Sequence, residues 1–507
     1  MNLFLFERTM RKVIQFLDFK GGYLMEIKEN ATLKRELKPR HMNMIAIGGA
    51  IGTGLFVALG YNITAAGPGG ALAAYAIMGI LVYFLMTSLG EMSTAIPITG
   101  SFASYCTRFV DPALGFAVGW NYWYSWSITV AAEIVAADIL IKFWLPDTNI
   151  FIWSAVFLAL IYGLNFFSAK GYGEGEFWFA SIKVVTIIIF LVLGIMMIAG
   201  IMGGASPGFS NWTTGEAPFV GGGMAILGAF LLAGFSFQGT EIVGIAAGES
   251  EDPGKAVPKA INAVFWRILI FYIGAVIVVG FLLPYTDENL TKTGLENLAV
   301  SPFTLVFQRA GLAVAASIMN AVILTSVLSC GNAGMYVSTR MLYSLAQEGK
   351  APKIFGYVNK RGVPIHALNV TTLIAAFCFL TAQVSLNTVY YWLLNASALT
   401  GFIAWLAIAI SHFYFRRAYV AQGNRIEDLK FKAKLYPFGP LFAGILCACI
   451  IIGQFYAYGD FSVVGFFVAY IGLFIFLACY IGYKVVKKTK MVNPKDADLV
   501  HHEGRSI

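Results

Sequence analysis

Apolar runs long enough to cross a bilayer recur along this chain, each closed off by a polar break. Such a pattern needs lipid as its solvent. The runs fall at 42–62, 70–93, 114–144, 151–167, 177–202, 224–248, 264–283, 312–345, 368–382, 389–413, 441–455 and 461–483. They are too long and too unbroken for the strands of an outer-membrane barrel, which alternate over roughly ten residues. Helices satisfy every backbone N–H and C=O internally, as hydrocarbon demands. The expectation is an all-α polytopic membrane protein with twelve transmembrane helices. Composition agrees: hydrophobic residues make up 58% and charged residues 12%, against about 25% charged in soluble domains.

Basic residues set the orientation. Of the 35 lysines and arginines, 31 fall in residues 1–41, in or beside the breaks after the second, fourth, sixth, eighth and tenth runs, or in the tail after 483. Arg267 and Arg340 count toward the breaks next to them. Lys142, Lys292 and Arg309 lie on or near the other side, and Lys183 lies within a run. By the positive-inside rule both termini are cytoplasmic and the protein is multi-pass in the cell (inner) membrane. The net charge of +8 then belongs to the cytoplasmic leaflet rather than to a nucleic-acid surface. The six cysteines show no metal spacing, and those inside runs read as small hydrophobes. Residues 1–22 mix polar and apolar side chains without the plan of a cleavable signal peptide.

Residues that conflict with lipid carry the functional information. The first run holds Gly48-Gly49-Ala50-Ile51-Gly52-Thr53-Gly54, and the sixth holds Gly234-Phe235-Ser236-Phe237-Gln238-Gly239-Thr240-Glu241. Either cluster alone reads as close helix packing through small residues. Two clusters five runs apart read as an inverted repeat whose first helices are broken at the midplane. Free N–H groups at a half-helix start suit a carboxylate and free carbonyls suit an ammonium, and an amino acid carries both.

Ionisable groups come next. Lys183 in the fifth run must find partners inside the bundle; it is either a titrating coupling group, a fixed cation, or a structural anchor. Glu241 closes the second glycine cluster, Glu133 and Asp138 lie in the third run, and Glu249 is nearer the cytoplasmic end, where it caps a helix or takes part in function. Tyr122 and Trp126, four residues apart on one helical face, form a gate, a cation–π wall or plain packing. GxSxG, P-loop and HExxH signatures are absent, and His41, His366, His412, His501 and His502 lie at or beyond membrane edges. Nothing in the sequence points to an enzyme, a cofactor or a metal.

The runs RELKPRHMNMIAIGGAIGTGLF, AGPGGALAAYAIMGILVYFLMTSLGEM, GFSFQGTEIVGIAAGESEDPGKAVPKAI, SCGNAGMYVSTRMLYSLA and GFIAWLAIAISHFYFRR resemble bacterial amino-acid permeases of the amino acid–polyamine–organocation (APC) superfamily. The resemblance spans roughly 33–488. GWNYWYSW, GEAPF, FWRIL and SPFTLVFQ resemble its lysine-specific permeases. The resemblance implies five plus five inverted repeats, at 42–203 and 222–414, with helices eleven and twelve at 439–483, and cytoplasmic segments at 1–41 and 484–507. It implies proton-coupled import of a basic L-amino acid, most of all L-lysine, by alternating access. Gly52, Thr53 and Gly54 would present amides to the substrate carboxylate. Phe235, Ser236 and Gly239 would line the amino-group side, with Phe235 as a gate. Apart from the resemblance, Glu241 and the Tyr122–Trp126 face are the candidates reachable from both breaks for the substrate side chain. Lys183, Glu241 and Glu249 would serve proton coupling. Position 297 is Asn where lysine permeases are expected to carry an acid, so a histidine or broader basic amino-acid permease is the alternative, and a membrane sensor or channel the alternative from another class. Met25 opens a stretch like an ordinary family start, and the residues before it are expected to be dispensable.

Overall fold

The structure, a computed structural model, describes residues 33–500 except 50, 57, 292–300, 312 and 459–461. Met25, Asn297, His501 and His502 lie outside the described residues. Among the described residues, eleven helices are long and apolar enough to cross a membrane, the first of them being Ala58–Ala95. That helix contains Gly67 at φ 76°, followed by Pro68. A left-handed residue and a proline end one helix and start another, so the stretch is two spans. Its upstream part joins α1 (Pro39–Gly48) and α2 (Thr53–Phe56) as an interrupted first span. The second span is α3, the part of Ala58–Ala95 from Pro68 onward. This division accounts for the twelfth span.

The remaining spans are α4 (Pro112–Ile141), α5 (Ile150–Phe167), α6 (Ala169–Ile198), the pair α7 (Gly222–Phe237) and α8 (Ile242–Ala246), α9 (Pro253–Leu282), α10 (Ala313–Gln347), α11 (Ile365–Ala382), α12 (Leu386–Ala421), α13 (Phe438–Tyr458) and α14 (Val463–Lys487). Starts follow capping chemistry. The Asp111 carboxylate accepts from the Ala113 amide before Pro112 opens α4, and Ser168 and Asn149 cap α6 and α5. α4 is buried along nearly its whole length, packed mainly against α10 and α12. Large apolar side chains such as Trp178, Val185 and Ile195 on α6 and Ile452 on α13 stay exposed; in a membrane they face acyl chains.

Two spans start earlier than the apolar runs suggest. α6 begins at Ala169 rather than 177, and α9 begins at Pro253 rather than 264. Their first turns, AKGYGEGE and PGKAVPK, are polar on one face and buried on the other, which an apolar run cannot register. A π-helical stretch, Ile268–Ile273, follows Arg267 within α9. Two basic residues counted with cytoplasmic breaks are inside the bundle instead: Arg267 and Arg340 are each 1% exposed. His41 and His412, expected at membrane edges, are also fully buried.

Candidate functional site

The first and sixth spans are both interrupted where the glycines cluster. α1 ends at Gly48 and α2 starts at Thr53, while α7 ends at Phe237 and α8 starts at Ile242, with Gly239 at φ 93° in between. The two interruptions touch. A Cβ on Gly54 would lie 2.5 Å from the Ser236 Cα, so only glycine permits this approach. The Ser236 hydroxyl donates to the Gly54 carbonyl at 2.6 Å and lies 3.0 Å from the Tyr75 hydroxyl.

Carbonyls at the end of a half-helix have no helical partner, and here long side chains from other spans supply donors. Lys183 Nζ donates to the Gly48 carbonyl at 2.9 Å. Arg267 Nη1 donates to the Ala46 carbonyl at 2.6 Å, and its Nη2 donates to Thr240 Oγ1 at the second interruption. The Ser326 hydroxyl donates to the Ile51 carbonyl at 2.8 Å. Arg267 therefore ties both breaks together from α9. Tyr272, further along α9, donates to the Ser236 carbonyl at 2.9 Å.

Glu241 is 2% exposed. It accepts from the Tyr122 hydroxyl at 2.9 Å, from Trp405 Nε1 at 3.0 Å and from the Gly239 amide at 3.1 and 3.2 Å. All these donors are neutral. Among the described residues no lysine, arginine or histidine lies within ion-pair distance of it. Glu249 contrasts with it: fully buried, it pairs with Arg340 at 2.8 Å and accepts from the Tyr336 hydroxyl at 2.8 Å. The Arg340 guanidinium lies 4.2 Å from the Tyr336 ring centroid, and Tyr172 stacks on that same ring at 3.9 Å. This second centre is joined to the N-terminal segment, because the Leu37 amide donates to the Glu249 carbonyl at 3.0 Å.

Among the residues singled out from sequence, Gly52, Thr53, Gly54, Ser236, Gly239, Glu241 and Tyr122 thus gather around the two breaks. Glu133 joins them, accepting from Thr53 Oγ1 at 3.2 Å, and a Cβ on Gly52 would lie 3.3 Å from its carboxylate. Trp126 packs edge-on against Tyr122 at 6.2 Å and covers Gly334 without a hydrogen bond to Glu241. Phe235 is half-buried at the end of α7. Asp138 is apart, bonded to Ser154. Lys183 serves the Gly48 carbonyl, while Glu176, seven residues earlier on the same face of α6, accepts from Ser329 at 2.8 Å. Sequence reasoning missed Trp405, Arg267 and Arg340. A mid-span Trp or Arg was the available signal, since neither remains unpaired in a bundle.

The amino acid permease family model matches residues 41–494. The chain belongs to the amino acid permease family. It is 55% identical over 464 residues to the lysine-specific permease LysP of Escherichia coli (strain K12), covering 91% of this chain and 95% of that protein. It is 51% identical over 499 residues to the lysine-specific permease LysP of Lactococcus lactis subsp. cremoris (96% and 97% covered). Against the histidine permease HisP of the same strain it is 49% identical over 469 residues (92% and 98% covered). In fold the permease is similar to a crystal structure of the Eremococcus coleocola manganese transporter with an aromatic bis-isothiourea compound: the TM-score is 0.53 at 15% identity, over 91% of this chain and 99% of that one. The permease is a multi-pass membrane transporter and not an enzyme. Its APC fold has broken first and sixth spans.

Proposed function

We propose that this permease imports basic L-amino acids, L-lysine first, together with protons by alternating access. The observation that carries the reading is Glu241: a buried carboxylate at the second break, surrounded by neutral donors. An ionised carboxylate so placed has no cation in direct contact, Arg267 acting on it only from beyond ion-pair distance, and a substrate ammonium supplies that contact. The relatives named for lysine and histidine support a cationic side chain. The amides of Gly52, Thr53 and Gly54 at the start of the second half-helix are the receptor for the substrate carboxylate. Phe235, Ser236 and Gly239 line the amino-group side, and Tyr122 and Trp126 form the aromatic wall.

Lys183 holds the end of α1 through a charge-assisted bond to Gly48. Losing its proton weakens that bond and lets the half-helix move, which couples proton release to the transport step. Glu241 and Glu249 are the further residues of proton coupling in this reading. The repeats are 42–203 and 222–414, and both termini face the cytoplasm.

The test is uptake of labelled lysine into proteoliposomes under an inward proton gradient, with histidine and arginine as competitors. Accumulation that collapses on adding a protonophore supports the reading. Downhill equilibration alone indicates a channel, and binding without flux indicates a sensor. Stronger competition by histidine than by unlabelled lysine moves the assignment to a histidine permease, the second reading, which the 49% identity to HisP supports.

A further inference from the structure

Away from both breaks, at the end of α12, a cavity of about 570 Å³ is lined by Arg416, Arg417, Val420, Ile426, Tyr436 and Pro494. We propose that it binds the phosphate headgroup of an anionic phospholipid. Its floor is preorganised. Arg416 is gripped by the buried Glu91 carboxylate through two bonds of 2.5 and 2.6 Å, and its guanidinium lies 4.8 Å from the centroid of the Tyr436 ring. His412 reaches the same carboxylate at 3.1 Å, and the Ala433 amide donates to it at 2.7 Å. Arg416 is thus neutralised and serves as a rigid wall.

The excess charge is on the rim. Arg417 is exposed and lies against the Phe413 and Tyr414 rings, and it makes no ion pair among the described residues. The segment after α12 reads LKFKAK, with Leu429 and Ala433 buried, Phe431 half-buried, and Lys430, Lys432 and Lys434 all exposed. That alternation turns three ammonium groups outward from one anchored stretch. Opposing them are Glu427, which lies 3.8 Å from Arg425, and Asp428. The three lysines do not line the cavity itself, and Lys430 Nζ lies beside Gly254 at the start of α9, but after these cancellations the surface around the cavity keeps a positive surplus.

What distinguishes a lipid from a dissolved anion is the apolar flank. Val420, on the cavity wall, is 57% exposed, and Leu435 and Phe438 at the foot of α13 are 57% and 61% exposed. These side chains belong at the acyl boundary, which puts the basic rim at headgroup height. Basic pockets between spans suit anionic headgroups for this reason. The tail closes the cavity on the other side: Gln422 Nε2 donates to the Pro494 and Ala497 carbonyls at 3.1 and 2.7 Å, and the Val492 amide donates to the Val110 carbonyl at 2.8 Å.

The experiment uses the full-length permease in phosphatidylcholine nanodiscs with or without phosphatidylglycerol, counting lipids retained on release by native mass spectrometry. Phosphatidylglycerol should be retained in preference to phosphatidylcholine. Arg417→Gln should lower its apparent affinity about fivefold, the equivalent of about 1 kcal/mol for one basic group near the surface. Joint replacement of Lys430, Lys432 and Lys434 by Gln should lower it further, whereas Lys142→Gln, at the far end of α4, should leave it unchanged. Equal retention of both lipids, or an equal loss in Lys142→Gln, overturns the site. Full displacement by millimolar inorganic phosphate overturns the lipid and leaves a solute anion. Should Arg417→Gln fail to fold, the triple lysine variant decides in its place: retention of phosphatidylglycerol as strong as in the wild type overturns the site.

Discussion

Glu241 and Glu249 lie eight residues apart on one interrupted span, yet chemistry separates them. Glu249 has its cation in Arg340, while Glu241 has only Tyr122, Trp405 and Gly239. A charge-assisted hydrogen bond contributes about 1.5–3 kcal/mol, and about 1.4 kcal/mol is tenfold in affinity. Glu241→Gln should therefore weaken lysine binding by roughly one to two orders of magnitude, measured by calorimetry on the purified variant. Unchanged affinity with lost accumulation would confine Glu241 to the proton cycle. Lys183→Ala removes the donor to the Gly48 carbonyl without touching Glu241. Proton-driven accumulation should collapse while lysine binding stays within about threefold. Equal loss of both, in parallel binding and uptake assays, would make Lys183 a structural anchor.

At the scale of elements, the two interrupted spans carry the candidate site and α9 ties them together. Both breaks were legible in the sequence, because helix packing alone does not require glycines to cluster at matched places in two apolar runs. The clamp was not. Arg267 falls just inside its apolar run, close enough to the polar stretch before it to be counted as loop charge, and only the tertiary fold shows it buried at 1% exposure. Trp405 was hidden for a related reason: in the uniformly apolar GFIAWLAIAI one more aromatic residue reads as packing, and only the tertiary fold brings its Nε1 to Glu241. Arg267→Gln should destabilise the fold and slow transport, since the carbonyl of Ala46 and the hydroxyl of Thr240 lose a shared cationic donor. Two such bonds amount to about 3–6 kcal/mol at most. Arg267→Lys keeps the charge but reaches one partner only. Thermal melting in detergent should rank wild type above Lys above Gln, and a Lys variant as stable as wild type would show that the two-break bridge is not needed.

Across the whole molecule, the N-terminal segment joins elements distant in sequence. Leu37 is fully buried and pairs in parallel with the segment just after α8: its amide donates to the Glu249 carbonyl and its carbonyl accepts from the Glu251 amide, both at 3.0 Å. Three residues on, Arg40 reaches Glu174 on α6, and His41 lies 3.1 Å from the same carboxylate. One short stretch thus joins the start of the first span to the close of the sixth and the start of the fifth. It also supports the Glu249–Arg340 pair from behind. Deleting residues 1–24, which precede the family-like stretch, should leave lysine uptake intact. Deleting 1–38 should not, because two backbone bonds and a buried leucine vanish together; burying a leucine alone contributes about 1.5–3 kcal/mol. The point variant Leu37→Asp separates the strap from mere shortening, since it keeps the length and puts a charge where nothing pairs with it. Uptake in proteoliposomes and melting temperature should both fall for Leu37→Asp and stay unchanged for the 1–24 deletion. Normal uptake by Leu37→Asp would show that the permease works without this tie.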